Sequence, residues 1–122
     1  MGYQHIDNLY KNQHILLFKE CYAMEKIHGT SAHISWDTKE LRFFGGGIKH
    51  TDFIALFNHN ELKAKFAALH SLPITIFGEA YGGKCQGMSK TYGDKLKFIA
   101  FEVRIEHNWL DVPRAESICK DL

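Results

Sequence analysis

The sequence predicts an α+β fold in which helices flank an antiparallel sheet. Apolar and polar residues alternate over Ser31–Trp36, and a polar turn at residues 37–40 leads into the short segment Leu41–Phe44. Alternation with a period of two is typical of strands, and the short turn favours an antiparallel pair. Apolar residues at helical spacing follow, and a second strand-forming region begins further along the chain.

A strand is also predicted immediately before this pair. The segment Cys21–Ile27 mixes apolar and polar residues at close to a strand period. Together with Ser31–Trp36 and Leu41–Phe44, it predicts an antiparallel meander.

Two helices are predicted on either side of residues 58–60. Thr51 and Asp52 favour a helix N-terminus, and apolar side chains follow at positions 53, 54, 56 and 57. The second helix is expected to run to about His70, with apolar residues at helical spacing: Leu62, Phe66 and Leu69.

The second half of the chain begins with an extended segment, Ile74–Phe77. Residues 78–93 contain five glycines, which predicts a loop over most of that range. Leu96–Ile105 is the clearest strand, and Trp109–Leu110 is a short one. A final helix is predicted from about Pro113 to the end, because proline suits the first helical turn.

Length and composition predict one domain covering residues 1–122. Hydrophobic residues make up 45%, charged residues 24%, and the net charge is +1, which is ordinary for a globular protein. No apolar run approaches the ~20 residues of a membrane helix, so no membrane partner is expected. Cys21, Cys85 and Cys119 lie far apart, which predicts reduced thiols and a cytoplasmic location. The histidines lack paired metal-ligand spacings, so no metal site is expected within the chain.

The most informative segment is Glu25-Lys26-Ile27-His28-Gly29-Thr30, which lies between two predicted strands. A lysine at a strand end, followed by a tight glycine turn, is expected to direct its amine into a pocket. Gly29 has no side chain, which is expected to leave room for an incoming nucleotide.

This segment resembles the nucleophile motif of the covalent nucleotidyltransferases, which comprise DNA ligases, RNA ligases and mRNA capping enzymes. The shared element is Lys-x-x-Gly, and His28 before Gly29 is similar to the RNA ligases that seal nicks in duplex RNA. Phe77–Gly82 (FGEAYG) resembles the third motif of the family, and Phe98–Val103 (FIAFEV) resembles the motif after it. The resemblance implies the front part of an ATP-grasp-like nucleotidyltransferase domain.

The resemblance implies an ATP-dependent RNA ligase, in which a lysine takes AMP covalently before a 5′-phosphate is joined to a 3′-hydroxyl. ATP and Mg²⁺ are the implied cofactors, and RNA ends or nicked duplex RNA are the implied substrates. Catalysis is assigned to Lys26, the nucleophile, and to His28, needed for adenylylation. Nucleotide binding is assigned to Glu25, Ile27, Gly29, Glu79 and Phe101. Glu79 is expected at the ribose and Phe101 on the base.

Phosphate contacts are less clearly indicated. In the family, a basic residue, often arginine, follows the lysine hairpin, whereas here the glycines 45–47 occupy that place. Arg42, Lys49 or the glycine backbone amides are the candidates for this contact. A simple turn of the chain is equally compatible with the glycines.

Residues 83–97 contain several lysines beside two tyrosines, Tyr81 and Tyr92. Basic residues interleaved with aromatic rings suit contact with an RNA backbone, so Lys84 and Lys90 are candidate RNA contacts. A solvated loop is the alternative.

Two later family motifs, Glu-Gly before apolar residues and Lys-x-Lys, do not occur after Val103. They supply a carboxylate for metal and lysines for the α-phosphate. We therefore expect a ligase domain that is incomplete alone; a truncated nucleotide- or RNA-binding remnant, or half of a split ligase, is the alternative. The corresponding partner is a second chain with the missing motifs, or a homodimer. His28 in place of aspartate disfavours a DNA ligase or capping relative.

Overall fold

A computed structural model describes residues 3–69, 71–87 and 89–122, and in this part of the chain an open antiparallel sheet of five strands forms the centre. The strands are β1 (Thr30–Trp36), β2 (Leu41–Phe44), β3 (Ile74–Gly82), β4 (Leu96–Ile105) and β5 (Asn108–Trp109). Their spatial order is β2-β1-β3-β4-β5, and every neighbouring pair is antiparallel. The predicted mixed architecture with an antiparallel sheet is confirmed.

The helices of the described residues are α1 (His50–Ile54), α2 (His59–Leu69), α3 (Ser89–Tyr92) and α4 (Val112–Asp121). Short 3₁₀ turns occur at His14–Leu17 and Cys85–Gly87. The final helix forms as predicted, with Asp111 capping it by accepting a hydrogen bond from the Arg114 backbone N–H at 3.0 Å. His70, the predicted end of the second helix, lies outside the described residues.

The core lies between one face of the sheet and the helices α1, α2 and α4. Because side chains alternate along a strand, every second residue of β1 and β3 points to this side. Phe98 packs against this core. The buried side chains of the core include Ala32, Ile34, Trp36, Phe53, Leu62, Phe66, Ile74, Ile76, Val103 and Ala115.

The prediction of a strand over Cys21–Ile27 was wrong, because residues 18–29 form neither helix nor strand. β1 lies between β2 and β3, so neither of its edges is free to pair with the preceding segment. The apolar side chains of Tyr22 and Met24 are exposed, so the alternation in this segment does not reflect a buried face.

The prediction of a loop over most of residues 78–93 was wrong at its start, because β3 continues to Gly82 and pairs with β4 throughout. Gly78 is needed there for close strand packing. A Cβ atom at this position would lie 2.2 Å from the Ile99 carbonyl oxygen. The short strand predicted at Trp109–Leu110 forms one residue earlier, as β5.

The register between β3 and β4 shifts at one point. Phe77 pairs with Glu102, whereas Gly78 pairs with Ala100, so Phe101 is an extra residue on β4. Such a β-bulge changes the direction in which side chains point. Before the bulge, Phe98 and Ala100 face the core, and after it Val103 does so.

The N-terminal segment before β1 lies largely outside the core. Its exposed apolar side chains include Leu9, Tyr10, Leu16, Leu17 and Phe18. Of the helices in the described ranges, none has the length and apolar character needed to cross a membrane.

Phe53→Ala is expected to lower the free energy of unfolding by about 3–5 kcal/mol, because the Phe53 side chain is 0% exposed and its loss leaves a cavity. Urea denaturation measures this quantity. Phe18→Ala is the matched control, since Phe18 is 69% exposed, and its effect should stay within about 0.5 kcal/mol. Equal losses in the two variants would contradict the described core.

Candidate active site

A cavity of about 650 Å³ lies over the sheet face that the helices leave open. Its floor comes from three strands, through residues such as Ser31 of β1, Glu79 of β3 and Phe101 of β4. Its walls are two N-terminal segments, residues 3–6 and residues 24–27. This volume lies within the range of small-molecule and cofactor sites, roughly 300–1,000 Å³.

Five of the predicted site residues line this one cavity. They come from three separate parts of the sequence and are Glu25, Lys26, Ile27, Glu79 and Phe101. Lys26 is exposed, so its amine is accessible to a molecule in the cavity. The cavity therefore brings together an amine, carboxylates and an aromatic ring.

The lysine segment is tied to β3 by a hydrogen bond to a site residue. The Gly29 backbone N–H donates to Glu79 Oε1 at 3.2 Å. A Cβ atom on Gly29 would lie 2.0 Å from the Ala80 carbonyl oxygen, so only glycine permits this approach. The role of Gly29 thus differs from the prediction, because the space it leaves is occupied by β3 and not by a nucleotide.

Burial raises the pKa of the Glu79 carboxyl, whereas the Gly29 N–H and the positive charges of His28 and Lys26 act in the opposite direction. Only one carboxylate oxygen of Glu79 is used by Gly29. A carboxylate has acceptor capacity on both oxygens, so Glu79 can still accept a hydroxyl from a ligand.

His28 is placed differently from the other motif residues, since it does not line the cavity. Its backbone N–H donates to the Tyr92 hydroxyl at 3.1 Å, and the Tyr92 ring packs edge-on against Tyr81 at 5.4 Å between centroids. These contacts attach α3 to the lysine segment. Tyr81 and Tyr92 therefore support the lysine motif.

The candidate phosphate residues do not line the cavity. The Arg42 guanidinium lies 3.4 Å from the Asp37 carboxylate. In the sheet, Arg42 of β2 lies opposite Ser35 of β1. Ser35 is four residues along β1 from the cavity residue Ser31, or about 13 Å. The structure thus places Arg42 away from Lys26.

The glycines 45–47 turn the chain from β2 toward α1. The Gly47 N–H donates to Thr30 Oγ1 at 2.9 Å, so this amide is already paired within the protein. Lys49 is exposed at the N-cap of α1. A turn packed against the lysine motif describes this segment better than a phosphate cradle.

Lys84 and Lys90 are exposed outside the cavity. Lys84 lies in the turn after β3, and Lys90 lies on α3, which Tyr92 attaches to the motif. Both remain candidates for contact with a ligand larger than a nucleotide.

The three cysteines are further groups that could react or bind a metal. Cys21, Cys85 and Cys119 are free, and the buried Cys85 thiol donates to the Ala80 carbonyl oxygen at 3.3 Å. Within residues 3–69, 71–87 and 89–122, no three His, Cys, Asp or Glu side chains group together as a metal site.

Sequence reasoning missed the wall formed by residues 3–6. Tyr3 packs edge-on against Phe101, with ring centroids 5.4 Å apart. Burial raises the pKa of Tyr3 to about 12, and its hydrogen bond to Glu102 and the charge of that carboxylate act in the same direction. The segment carries neither a motif nor a periodic pattern, so nothing in the sequence indicates this position.

Comparison with models of known families, with characterised proteins and with solved structures found no match to this chain. The chemistry of the site is therefore inferred from its own residues.

Gly29→Ala is expected to lower the free energy of unfolding by about 1–3 kcal/mol, because its methyl group would collide with the β3 backbone. Gly47→Ala is the control, since a Cβ atom there meets only Thr30 at 3.4 Å. Urea denaturation compares the two variants. If Gly29→Ala were as stable as Gly47→Ala, the close contact between the motif and β3 would be refuted.

Tyr3 is expected to ionise later than an ordinary tyrosine. Its pKa rises from 10.0 to about 12 on folding, so the unfolded chain loses this proton first between these two values. The free energy of unfolding therefore falls as the pH rises through this interval. Tyr3→Phe lacks this contribution and should show a shallower decline. Tyrosinate absorbance of the folded protein should lose the transition near pH 12 in the same variant, and an unchanged titration would contradict the buried environment of Tyr3.

Proposed function

We propose that this chain is the nucleotide-binding part of an ATP-dependent RNA ligase domain, with an ATP-grasp-like fold and Lys26 as its adenylylated residue. One observation carries the proposal. Residues 25–27, Glu79 and Phe101 are distant in the sequence, yet they line one cavity of nucleotide size. Their order and types are those of the ligase motifs that the sequence resembles.

The chemistry of the cavity suits the parts of ATP. The Phe101 ring offers an apolar surface on which a base can stack, an interaction worth about 1–3 kcal/mol per base in nucleic-acid complexes. The Glu79 carboxylate suits ribose hydroxyls, which donate hydrogen bonds to it. Lys26 provides the amine for the α-phosphate. The backbone of Ile27, beside Lys26, is the candidate contact for the adenine edge.

The proposed reaction begins when the neutral Lys26 amine attacks the α-phosphorus of ATP. The N–P bond forms, the bond from the α-phosphorus to the bridging oxygen breaks, and pyrophosphate leaves with that electron pair. The amine proton passes to solvent or to a nearby base, which leaves a lysine–AMP phosphoramidate. In a ligase, the AMP then moves to an RNA 5′-phosphate, and a 3′-hydroxyl displaces it to join the strands.

Magnesium is the metal that the resemblance implies, and the described residues do not form a dedicated cage for it. Mg²⁺ commonly binds through substrate phosphates with few protein ligands. The ion is therefore supplied together with ATP in the experiment below.

The charge of the cavity favours a second candidate, a nucleotide-binding module that does not react alone. The ionisable side chains that line it include three carboxylates, Glu25, Glu79 and Glu102, against one lysine. The negative charges of these acids repel a triphosphate. A partner chain that carries cations to this site, in a split ligase or a homodimer, would then complete it.

Incubation with α-labelled ATP and Mg²⁺, followed by denaturing electrophoresis, tests the proposal. We expect label on the wild-type protein and none on Lys26→Ala, because Lys26 is the one lysine that lines the cavity. Lys19→Ala is the control, since Lys19 is exposed and does not line the cavity. A nicked duplex RNA then separates adenylylation from sealing.

Each outcome distinguishes the two candidates. Label that persists on Lys26→Ala would overturn the assignment of the nucleophile. ATP binding without label on the wild type would favour the binding module. Failure to bind ATP at all would exclude both.

A further inference from the structure

The N-terminal wall of the cavity is anchored through one residue. Tyr3 packs edge-on against Phe101 and Trp109, at centroid distances of 5.4 and 5.6 Å, and tilted against Phe77 at 5.5 Å. The Glu102 carboxylate acts on its hydroxyl and helps to raise the pKa of Tyr3. The residues that follow it, Gln4, His5 and Ile6, continue the wall.

Phe101 needs such support because of its place in the sheet. As the extra residue of the β-bulge, it stands outside the regular pairing of β3 with β4. The orientation of a bulged side chain is set by its neighbours as well as by the ladder. Tyr3 contacts the Phe101 ring and interacts with the Glu102 carboxylate, so it restrains both residues at the bulge.

We infer that Tyr3 is a positioning residue for nucleotide binding, which holds the Phe101 ring in place and closes the N-terminal wall over the cavity. The inference rests on the proposed function, since it takes Phe101 as the surface for the base. Tyr3 acts through Phe101, so it affects binding of the nucleoside part of the ligand and not binding of the phosphates.

The cavity also gains enclosure from this contact. Without Tyr3, residues 4–6 lose the aromatic anchor beside the sheet. The base would then meet a ring of less defined orientation and a wall open to water. Both changes weaken nucleoside binding. The contact between the two aromatic rings fixes the orientation of Phe101, and without it the Phe101 ring must be ordered when the base binds.

The test measures binding in a Lys26→Ala background, where no covalent product can form, so its result is independent of adenylylation. Calorimetric titration with adenosine and with inorganic triphosphate separates the two parts of ATP. Tyr3→Ala should weaken adenosine binding about two- to tenfold and leave triphosphate binding unchanged. Tyr3→Phe keeps the ring and loses the hydroxyl, so it should weaken adenosine binding less.

Tyr10→Ala is the matched control, because Tyr10 is 95% exposed and does not line the cavity. Adenosine binding by Tyr3→Ala equal to that of Tyr10→Ala would overturn the inference. Equal weakening of adenosine and triphosphate binding would also overturn it, since that result indicates a general loss of structure. If Tyr3→Ala does not fold, Tyr3→Leu decides the matter, because it removes the aromatic ring and keeps an apolar side chain, and unchanged adenosine binding by that variant overturns the inference.

These outcomes are distinct from those of the labelling experiment. A wild-type protein that takes no label from ATP, with adenosine binding that still depends on Tyr3, removes the proposed reaction and supports the inference. A labelled wild type with no effect of Tyr3 on adenosine binding removes the inference and leaves the proposed reaction in place.

Discussion

The close contact between Gly29 and β3 is the constraint on which the candidate site depends. Residues 18–29, which precede β1, form neither helix nor strand, so no regular backbone hydrogen bonding holds Lys26 in place. The Gly29 N–H reaches Glu79, and the absence of a side chain lets the backbone approach the Ala80 carbonyl. One glycine thereby couples the lysine to the carboxylate on the next strand of the sheet, and positions two groups of the site by the same contact.

The bulge at Phe101 lies opposite a glycine of β3, Gly78. A Cβ atom at Gly78 would collide with the Ile99 carbonyl oxygen, so this position next to the register shift has no room for a side chain. The extra residue reverses the alternation, so that Phe98 and Val103 share the core face although five positions separate them. Phe101 is left to the open face, where the helices do not cover it. Packing on one side of the sheet thus determines which aromatic ring is available on the other.

The local sequence pattern correctly predicted the strands in which the alternation of apolar and polar residues matches their burial. It was wrong where pairing with strands distant in the sequence determines the structure. β2 and β4 form over the predicted residues, because their apolar positions face the core. The segment Cys21–Ile27 has a similar alternation but no free edge to pair with. The glycines 78 and 82 were interpreted as loop signals, although close packing explains Gly78. The motif order predicted the residues that gather in the cavity, whereas the Tyr3 wall depends on a long-range contact that no local pattern encodes.

In the proposed function, the distribution of charge separates the part of the cavity that would hold the nucleoside from the part that would hold the phosphates. Phe101, Glu79 and the Tyr3 wall form a partly enclosed surface that suits a base and a ribose. The basic candidates Arg42, Lys49, Lys84 and Lys90 all lie outside the cavity, and Arg42 is already paired with Asp37. Lys26 is therefore the one lysine of the cavity lining, and it stands among carboxylates. In such a site, recognition of the nucleoside can be strong while the phosphates are poorly stabilised, because stacking and hydrogen bonding do not depend on the cations that a triphosphate needs. Under the proposed function, binding of the nucleoside and reaction at the α-phosphate thus make separate demands, and the geometry of the described residues provides more for the first than for the second.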